Sequence, residues 1–211
     1  MEFKRARTKE QIDTRREEIL DACIRLYLEK GYENVNFKTI SELISVSRPS
    51  IYNYYNTKGE MFLEILGRHY SEWTDELSSE FDSRDRMGRE EFCHAISDTL
   101  CDHQMILRLI SLDLSNIENE CSVERLIDFK IVVCRLMNVL DNGIIKFFKD
   151  TDKDDRQTLI QSFFVFILGL YPMSHPTEKQ RDAMDKVGMV LKYDLNKLCY
   201  DGLFLLSSNL K

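Results

Sequence analysis

The chain has 211 residues, of which 43% are hydrophobic and 31% charged, and its formal net charge is −7 at pH 7. Apolar clusters recur along its whole length, which excludes an intrinsically disordered chain. The longest apolar run, at 163–171, has nine residues where a bilayer crossing needs about 20, and the N-terminus lacks a signal-peptide core, so we expect a cytoplasmic protein without membrane contact.

The first helix is predicted over residues 9–30. Only three prolines and eight glycines interrupt the chain, and no run alternates like a strand, so the whole protein is predicted to be all-α. Within this first helix Ile19, Cys23 and Leu26 share one face. Gly31 follows as the expected left-handed C-terminal cap.

Two shorter helices are predicted next. Asn36 is suited to cap the second helix, whose apolar side chains are Phe37, Ile40, Leu43 and Ile44. After a tight break, Ser47 is suited to cap a third helix over residues 48–55. Pro49 fits there because the amides of a first turn have no helical partner.

The fourth helix is predicted to open with a capping box formed by Thr57 and Glu60. It continues over residues 58–77, and the polar stretch 78–88 is interpreted as a link. Further helices are predicted at about 89–101, 104–116, 122–149, 155–171 and 190–209.

Two of these later helices carry distinctive patterns. The helix at 155–171 is apolar almost all round, and Gly169 and Pro172 are predicted to end it. A looser segment with a short helix follows. The last helix has an apolar stripe of Leu191, Leu195, Leu198, Gly202 and Leu205.

The third helix is predicted to have two different faces. Ile51 and Tyr55 lie about 40° apart on a helical wheel and point inward, whereas Pro49 and Asn53 point outward. The outward face is flanked by Ser50, Tyr52 and Tyr54. Small, amide and phenol groups suit a DNA major groove. An ordinary polar surface or a protein-binding patch explains the same face equally well.

Cations surround this predicted helix. Arg48 and Lys58 lie at the starts of the third and fourth helices, where free backbone amides suit phosphates, and Lys38 lies near enough to reach DNA. Residues 1–60 contain 11 Lys/Arg and 10 Asp/Glu, whereas the rest contains 18 and 26. The basic arm at residues 1–9 fits contact with a polyanion, although a solvated, frayed terminus is the alternative.

Residues 19–66, ILDACIRLYLEKGYENVNFKTISELISVSRPSIYNYYNTKGEMFLEIL, resemble the DNA-binding domain of TetR-type transcriptional regulators. The shared pattern is a first helix ending in Lys-Gly-Tyr, a capped second helix, Val-Ser, a small residue, Ile-Tyr-x-Tyr and a lysine that opens the fourth helix. The resemblance implies a helix-turn-helix domain at residues 1–57. It implies a helical effector-binding and dimerisation domain at 58–211, with 58–77 as the connecting helix.

The function implied by the resemblance is that of a ligand-responsive repressor that binds a palindromic double-stranded operator as a homodimer and is released by a small molecule. Tyr52, Tyr54 and Lys58 would contact phosphates. Arg48, Ser50 and Asn53, with Lys38, would read or approach bases, and Pro49 would make an apolar contact. Thr39 is also implied as a DNA-binding residue. No cofactor is expected.

Three positions depart from the family pattern. Ser45 stands where a turn glycine is usual, which we expect to cost some strain. Tyr55 replaces a phenylalanine, so its hydroxyl needs a partner or water. Gly59 replaces an acidic residue and removes a helix-favouring side chain.

The resemblance also implies how the C-terminal part works. The helices near 155–171 and 190–209 would form a four-helix interface between two chains; the alternative is that both are internal core. A ligand pocket beside the fourth helix would be lined by Trp73, Phe92, His103, Met105, Phe129 and Phe166, each of which is also a plausible core residue.

Other functional classes have weaker support. Cys93, Cys101 and His103 form the one Cys/His cluster of the sequence, but their spacing matches no zinc signature, and we expect no metal there. No catalytic triad order or phosphate-binding glycine loop is present, so we do not expect an enzyme. A helical scaffold that kept the fold without reading DNA remains the alternative.

Overall fold

The computed structural model describes residues 8–112, 114–189 and 194–211, and within them every regular element is helical. The predicted all-α class is confirmed. The α-helices are α1 (Lys9–Lys30), α2 (Phe37–Ser41), α3 (Arg48–Ile51), α4 (Lys58–Asp82), α5 (Arg89–Asp102), α6 (Gln104–Ile110), α7 (Leu114–Asn119), α8 (Val123–Phe147), α9 (Lys153–Ser174), α10 (Glu178–Lys186) and α11 (Leu195–Leu206). Short 3-10 turns lie at Tyr32–Asn34 and Ser207–Asn209.

The chain divides into two compact units. The first unit comprises Met1–Ile65 and Ser115–Ile127, and the second comprises Leu66–Leu114 and Asp128–Lys211. The first unit is therefore built from two separate stretches of sequence. Helix α4 is continuous and belongs to the first unit at its start and to the second in the remainder.

Helix α1 has the predicted bounds because both of its ends are capped. The Thr8 hydroxyl accepts the amide of Gln11 at 3.2 Å, and the Gln11 side chain accepts the amide of Thr8 at 3.4 Å. At the other end Gly31 adopts φ 77° and ψ 167°, and its amide donates to the carbonyl of Tyr27 at 2.9 Å. The expected positive φ is present, although ψ lies outside the left-handed helical region.

Helix α2 is shorter than predicted. Asn36 caps it as expected, since its side chain accepts the amides of Lys38 and Thr39 at 3.0 Å each. The helix ends at Ser41, after which the amide of Leu43 bonds back to the carbonyl of Ile40 at 3.0 Å. This tightening turns Leu43 toward solvent, with 43% of its surface exposed, so the prediction of a helix reaching this leucine was wrong.

Helix α4 opens as predicted but is longer than the expected 58–77. The Thr57 hydroxyl accepts the amide of Glu60 at 3.2 Å, and the Glu60 carboxylate accepts the amide of Asn56 at 2.8 Å. The helix then runs to Asp82, so the first part of the predicted polar link is helical. Its last turns are held by tertiary packing, because the buried ring of Phe81 stacks on Phe92 at 5.3 Å.

The predicted helix at 104–116 is two helices. Helix α6 ends at Ile110, where the hydroxyl of Ser111 donates to the carbonyl of Arg108 at 2.7 Å, and α7 begins at Leu114. A side chain that bonds its own backbone competes with helix continuation. The break also divides the chain between the units, because α6 lies in the second and most of α7 in the first.

Helix α9 passes through the residues that were predicted to end it. It continues beyond Gly169 and Pro172 to Ser174, and the amide of His175 still reaches the carbonyl of Tyr171 at 2.9 Å. Both Gly169 and Pro172 are exposed. A proline removes one helical hydrogen bond, and at an exposed position water can serve the carbonyl left behind.

Helix α11 packs on α5 and α9. It begins at Leu195 with Asp194 as its cap, later than predicted, and Leu191 lies outside the described residues. Gly202 allows the close packing on α9, because a Cβ at this position would lie 2.2 Å from the ring of Phe166.

Candidate nucleic-acid interface

Helix α3 has the two faces predicted from the wheel. Ile51 and Tyr55 are 0% and 1% exposed, whereas Pro49 and Asn53 are exposed to solvent. The regular helix ends at Ile51, but helical turns continue, since the amide of Tyr55 bonds to the carbonyl of Ile51 at 3.1 Å. Helix α3 is shorter than the predicted 48–55, but the predicted buried residues, Ile51 and Tyr55, and the predicted exposed residues, Pro49 and Asn53, are as expected.

The N-terminus of α3 is held by serine hydroxyls. Ser47 occupies the cap position but makes no side-chain hydrogen bond to the helix backbone. Its hydroxyl lies 2.9 Å from that of Ser50, which is half-buried. The backbone carbonyl of Ser47 accepts the amides of Ser50 and Ile51 at 2.8 and 3.1 Å. The expected side-chain cap is thus replaced by a hydroxyl pair.

Tyr52 is positioned by two neighbours. Its ring packs edge-on against Phe37 of α2, with centroids 4.8 Å apart, and 48% of its surface stays exposed. The exposed guanidinium of Arg48 lies 3.5 Å from the Tyr52 hydroxyl. A cation and a phenol are therefore presented together on the surface of the first unit.

The two residues of α2 predicted to contact DNA, Lys38 and Thr39, differ in exposure and in their hydrogen bonds. Lys38 is exposed. The hydroxyl of Thr39 is half-buried and engaged in the helix cap, where it donates to the carbonyl of Asn36 at 2.9 Å and accepts the amide of Asn36 at 3.1 Å. Thr39 therefore fixes the start of α2 in addition to any contact that it makes outside the chain.

Lys58 is held against Tyr32. Its ammonium lies 3.9 Å from the ring centroid of Tyr32, a cation–π contact, and 3.4 Å from the same residue's carbonyl oxygen. The side chain is half-buried. This contact sets the position of the charge at the first residue of α4.

The turn before α3 does not carry the strain expected at Ser45. No described residue other than glycine has a positive φ, so this serine has an ordinary backbone conformation. Its amide and its hydroxyl both donate to the carboxylate of Glu18 on α1, at 3.0 and 2.8 Å. The side chain that a glycine would lack thus ties the turn to α1.

The extra hydroxyl of Tyr55 has the partner it was expected to need. It donates to the carboxylate of Glu64 at 2.9 Å, and the guanidinium of Arg16 donates to both groups at 3.3 and 3.0 Å. Burial, followed by the charge of Glu64, raises the pKa of the Tyr55 phenol. The phenol therefore stays protonated and joins α1, α4 and the end of the α3 turn.

Sequence reasoning missed the second stretch of the first unit. A Cβ on Gly59 would lie 2.8 Å from the carbonyl oxygen of Ile117, so only glycine allows α7 to pack this closely on α4. Arg125 donates to the carbonyl oxygen of Tyr54 at 3.1 Å and lies 3.7 Å from the carboxylate of Glu64. The glycine that replaces the usual acidic residue was the one available signal.

The six expected ligand-lining residues lie in the second unit, and three of them are buried core. Trp73 is fully buried and donates to the hydroxyl of Thr99 at 3.0 Å. Phe92 and Phe129 are 1% and 5% exposed, whereas Met105 and His103 are half-buried. Phe166, also half-buried, lies against Gly202.

A pocket of about 260 Å³ lies elsewhere in the second unit. It is lined by the α8–α9 connection, α9 and the C-terminal turn, including Thr151, Asp155 and Leu210. None of the six expected ligand-lining residues borders it.

The structure separates the Cys/His cluster. Cys93 lies 3.3 Å from the hydroxyl of Ser207. The ring of His103 instead lies 2.8 Å from the carboxylate of Glu76. All six cysteines are free.

Helix α2, the turn at residues 42–47 and the anchored α3, whose outer face is exposed beside Arg48 and Lys38, have the arrangement of a helix-turn-helix. Two family profiles cover most of the chain: "Bacterial regulatory proteins, tetR family" matches residues 19–65, and "Tetracyclin repressor-like, C-terminal domain" matches 67–198. The chain therefore belongs to the TetR family of DNA-binding transcriptional regulators.

The individual relatives share sequence with this chain over a short segment only. The chain is 37% identical over 59 residues to the regulator YfiR of Bacillus subtilis and 32% identical over 57 residues to the transcriptional activator FasR of Mycolicibacterium smegmatis. These matches span 28% and 27% of this chain, and only 29% and 26% of the relatives' lengths. The structure of FadR from Bacillus subtilis, in complex with stearoyl-CoA, has the same fold, with a TM-score of 0.62, 17% identity, and coverage of 92% of this chain and 99% of that one.

Proposed function

We propose that this protein is a ligand-responsive repressor that binds a palindromic operator as a homodimer and is released by a small molecule. The observation that carries the proposal is the two-sided α3, with Ile51 and Tyr55 buried and Pro49 and Asn53 exposed. Buried anchors hold the helix still, and small polar groups on the other side can approach base edges. No catalytic role is proposed.

The proposed contacts divide into two kinds. Lys38, Arg48 and Ser50 lie against bases, together with Asn53 in the turn that follows α3. Pro49 makes an apolar contact, and Thr39 contacts the DNA beside them. Tyr52, Tyr54 and Lys58 lie against phosphates, which fix the register of the protein without carrying sequence information.

Operator binding is tested with DNA from next to the protein's own gene. A palindromic fragment and a scrambled fragment of equal length are titrated by fluorescence anisotropy at several salt concentrations. Wild-type protein is expected to prefer the palindrome, and Asn53→Ala is expected to lose about 1–3 kcal/mol of that preference. The control is Asn138→Ala, which removes an exposed amide from α8. Equal loss on both fragments would show that Asn53 does not read bases.

The homodimer is proposed to form through α9 and α11. On these helices Val165, Leu168 and Leu205 are 72%, 44% and 74% exposed, so both helices present large apolar side chains to solvent. By length and composition α9 could also cross a membrane, with 28% of its apolar window buried. Burial in a dimer interface explains the exposed apolar side chains of α9 without a membrane. We therefore place the protein in the cytoplasm.

The dimer is tested by light scattering after gel filtration without detergent. Val165→Glu is expected to give monomers because it places a charge in the interface. The matched control is Ile131→Glu on α8, where 62% of the side chain is exposed. Dimers that persist in the Val165 variant, or protein that requires detergent, would contradict this part of the proposal.

The effector is proposed to bind the second unit and to act through α4. Trp73, His103 and Phe129 remain among the residues proposed to line the ligand pocket. Because Trp73 and Phe129 are packed in the core, their side chains would have to move apart to admit a ligand. The usual coupling between two such sites is about 1–3 kcal/mol, a change of roughly 5–150-fold in operator affinity. A thermal-shift screen would find ligands, and operator titrations would show whether they release DNA.

The direction of regulation is decided by a reporter assay. FasR is an activator, so one relative differs from the repressor proposed here. Deletion of the gene is expected to raise transcription from the adjacent promoter. Lower transcription would indicate activation, whereas unchanged transcription together with no DNA binding would favour a scaffold.

A further inference from the structure

A cluster of imidazoles and carboxylates lies in the second unit, apart from the residues discussed for DNA contact. Helix α4 presents His69, Glu72 and Glu76, which are three, four and seven positions apart and so share one face. The ring nitrogen of His69 lies 3.3 Å from the carboxylate of Glu72. The cluster therefore begins as a row along a single helix.

His103 closes the cluster from another element. It stands at the junction of α5 and α6, where it ends one helix and begins the next. Its Nε2 lies 2.8 Å from Glu76, and its side chain is only 17% exposed. Potential ligand atoms of His69, Glu72 and His103 all lie within 4.8 Å of one another. Three potential ligands thus come together, and Glu76 contacts one of them, His103.

The donor set identifies the kind of ion. Two imidazole nitrogens with a carboxylate suit zinc and neighbouring transition ions, whereas Mg²⁺ and Ca²⁺ prefer oxygen ligands. Zinc bonds of about 2.0–2.2 Å bring ligand atoms to roughly 3.5 Å from one another. Small side-chain movements from the separations of up to 4.8 Å seen here would reach that spacing.

We propose that His69, Glu72 and His103 bind one divalent transition ion of the zinc class, with Glu76 orienting His103. A carboxylate beside a metal-binding imidazole fixes the ring and strengthens the ligand. The sequence predicted no metal here because His103 was considered only with nearby cysteines, and its partners on α4 are 27 or more positions away.

The ion would join α4 to the α5–α6 junction. Lys58 is the first residue of the same helix, 11 positions before His69. A metal that fixes α4 at one point is suited to act as the effector, and this role, unlike the site itself, rests on the proposed function.

Metal binding is tested on the full chain after removal of metal with a chelator. Titration with Co²⁺ is expected to give visible d–d absorption that saturates at one ion per chain, without the thiolate charge-transfer band that a cysteine ligand produces. Excess Zn²⁺ is expected to displace the Co²⁺, and Mg²⁺ is not. A thiolate band, or no saturable binding, would overturn the site.

Variants assign the ligands. His69→Gln and His103→Gln are each expected to abolish stoichiometric binding, and Glu76→Gln to weaken it about 10-fold or more. The matched control is His94→Gln, because His94 lies 3.6 Å from Asp98 in another imidazole–carboxylate pair but is not part of the cluster. Circular dichroism of the metal-free variants checks that they fold. Folded His69 and His103 variants that bind as well as wild type would contradict the assignment.

Operator titrations separate the site from its role. If Zn²⁺ changes operator affinity at least 5-fold in wild type but not in His103→Gln, the ion is an effector. Metal binding without any change on DNA would leave a structural site and remove the regulatory role. Loss of operator binding under every condition would overturn the proposed function and not the metal site.

Discussion

Arg125 donates a hydrogen bond of 3.1 Å to the backbone carbonyl oxygen of Tyr54, 71 positions earlier in the chain. The acceptor lies just after α3, where carbonyl groups at a helix end lack helical partners. The same guanidinium lies 5.6 Å from the ring centroid of Tyr55. The second stretch of the first unit thus stabilises the end of the element proposed to read DNA.

We expect Arg125→Ala to lower operator affinity while leaving most of the helical content intact. The loss removes a charged donor from a backbone acceptor, worth about 1.5–3 kcal/mol. Operator titrations and circular dichroism measure the two effects. The control is Arg135→Ala, whose partners Ser71 and Asp75 lie in the second unit. Arg125→Ala protein with wild-type operator affinity would show that this bond does not hold the reading element.

Gly59→Ala is expected to destabilise the fold by about 1–3 kcal/mol, because the new Cβ would press on backbone that cannot rotate away. The control lies on the same helix: at Gly67 a Cβ would meet only the ring of Phe129, at 3.7 Å. Gly67→Ala is expected to stabilise by up to about 1 kcal/mol through helix propensity. Urea unfolding at one fixed protein concentration compares them, and equal stability would refute the close packing.

Tyr55→Phe restores the residue usual in the family and is expected to cost about 1 kcal/mol. The cost stays moderate because Glu64 retains Arg16 as a partner at 3.0 Å. Chemical unfolding measures it. The hydroxyl of Tyr54 makes no hydrogen bond within the described residues, so Tyr54→Phe serves as the control. A Tyr55→Phe variant that is more stable than wild type would mean that the free-energy cost of burying the hydroxyl exceeds the stabilisation from its hydrogen bonds.

Lys58→Ala is expected to weaken binding to operator and random DNA equally and to lower the salt slope by about one unit. The reason is that a phosphate contact releases one counterion whatever the sequence. Lys197→Ala removes an exposed cation that pairs with Asp201 on α11 and is the control. An unchanged salt slope would indicate that Lys58 serves only its contact with Tyr32.

Local chemistry explains what the sequence could predict. Asn36 and Thr57 cap helices through atoms two or three residues away, and the burial of Ile51 follows from helical periodicity. Longer-range packing explains the misses. The last turns of α4 stay helical because the ring of Phe81 stacks on Phe92. The residues next to Gly59 in the sequence do not indicate that the backbone of Ile117 packs against this glycine.

The candidate sites show the same division. The outer face of α3 was predictable because neighbouring residues create it. The metal cluster was not, because the partners of His103 are set by the crossing of separate helices. The side chains proposed to surround an effector were chosen for their size, and size does not distinguish a residue that lines a ligand pocket from one that fills the hydrophobic core.

The discontinuous first unit has a consequence for engineering. A chimera that joined residues 1–65 of this chain to the rest of another regulator would have a single junction. Here that junction would discard Ser115–Ile127 and leave Gly59 facing a foreign backbone. A transplant that keeps the whole first unit therefore needs three splice points, after Ile65, before Ser115 and after Ile127.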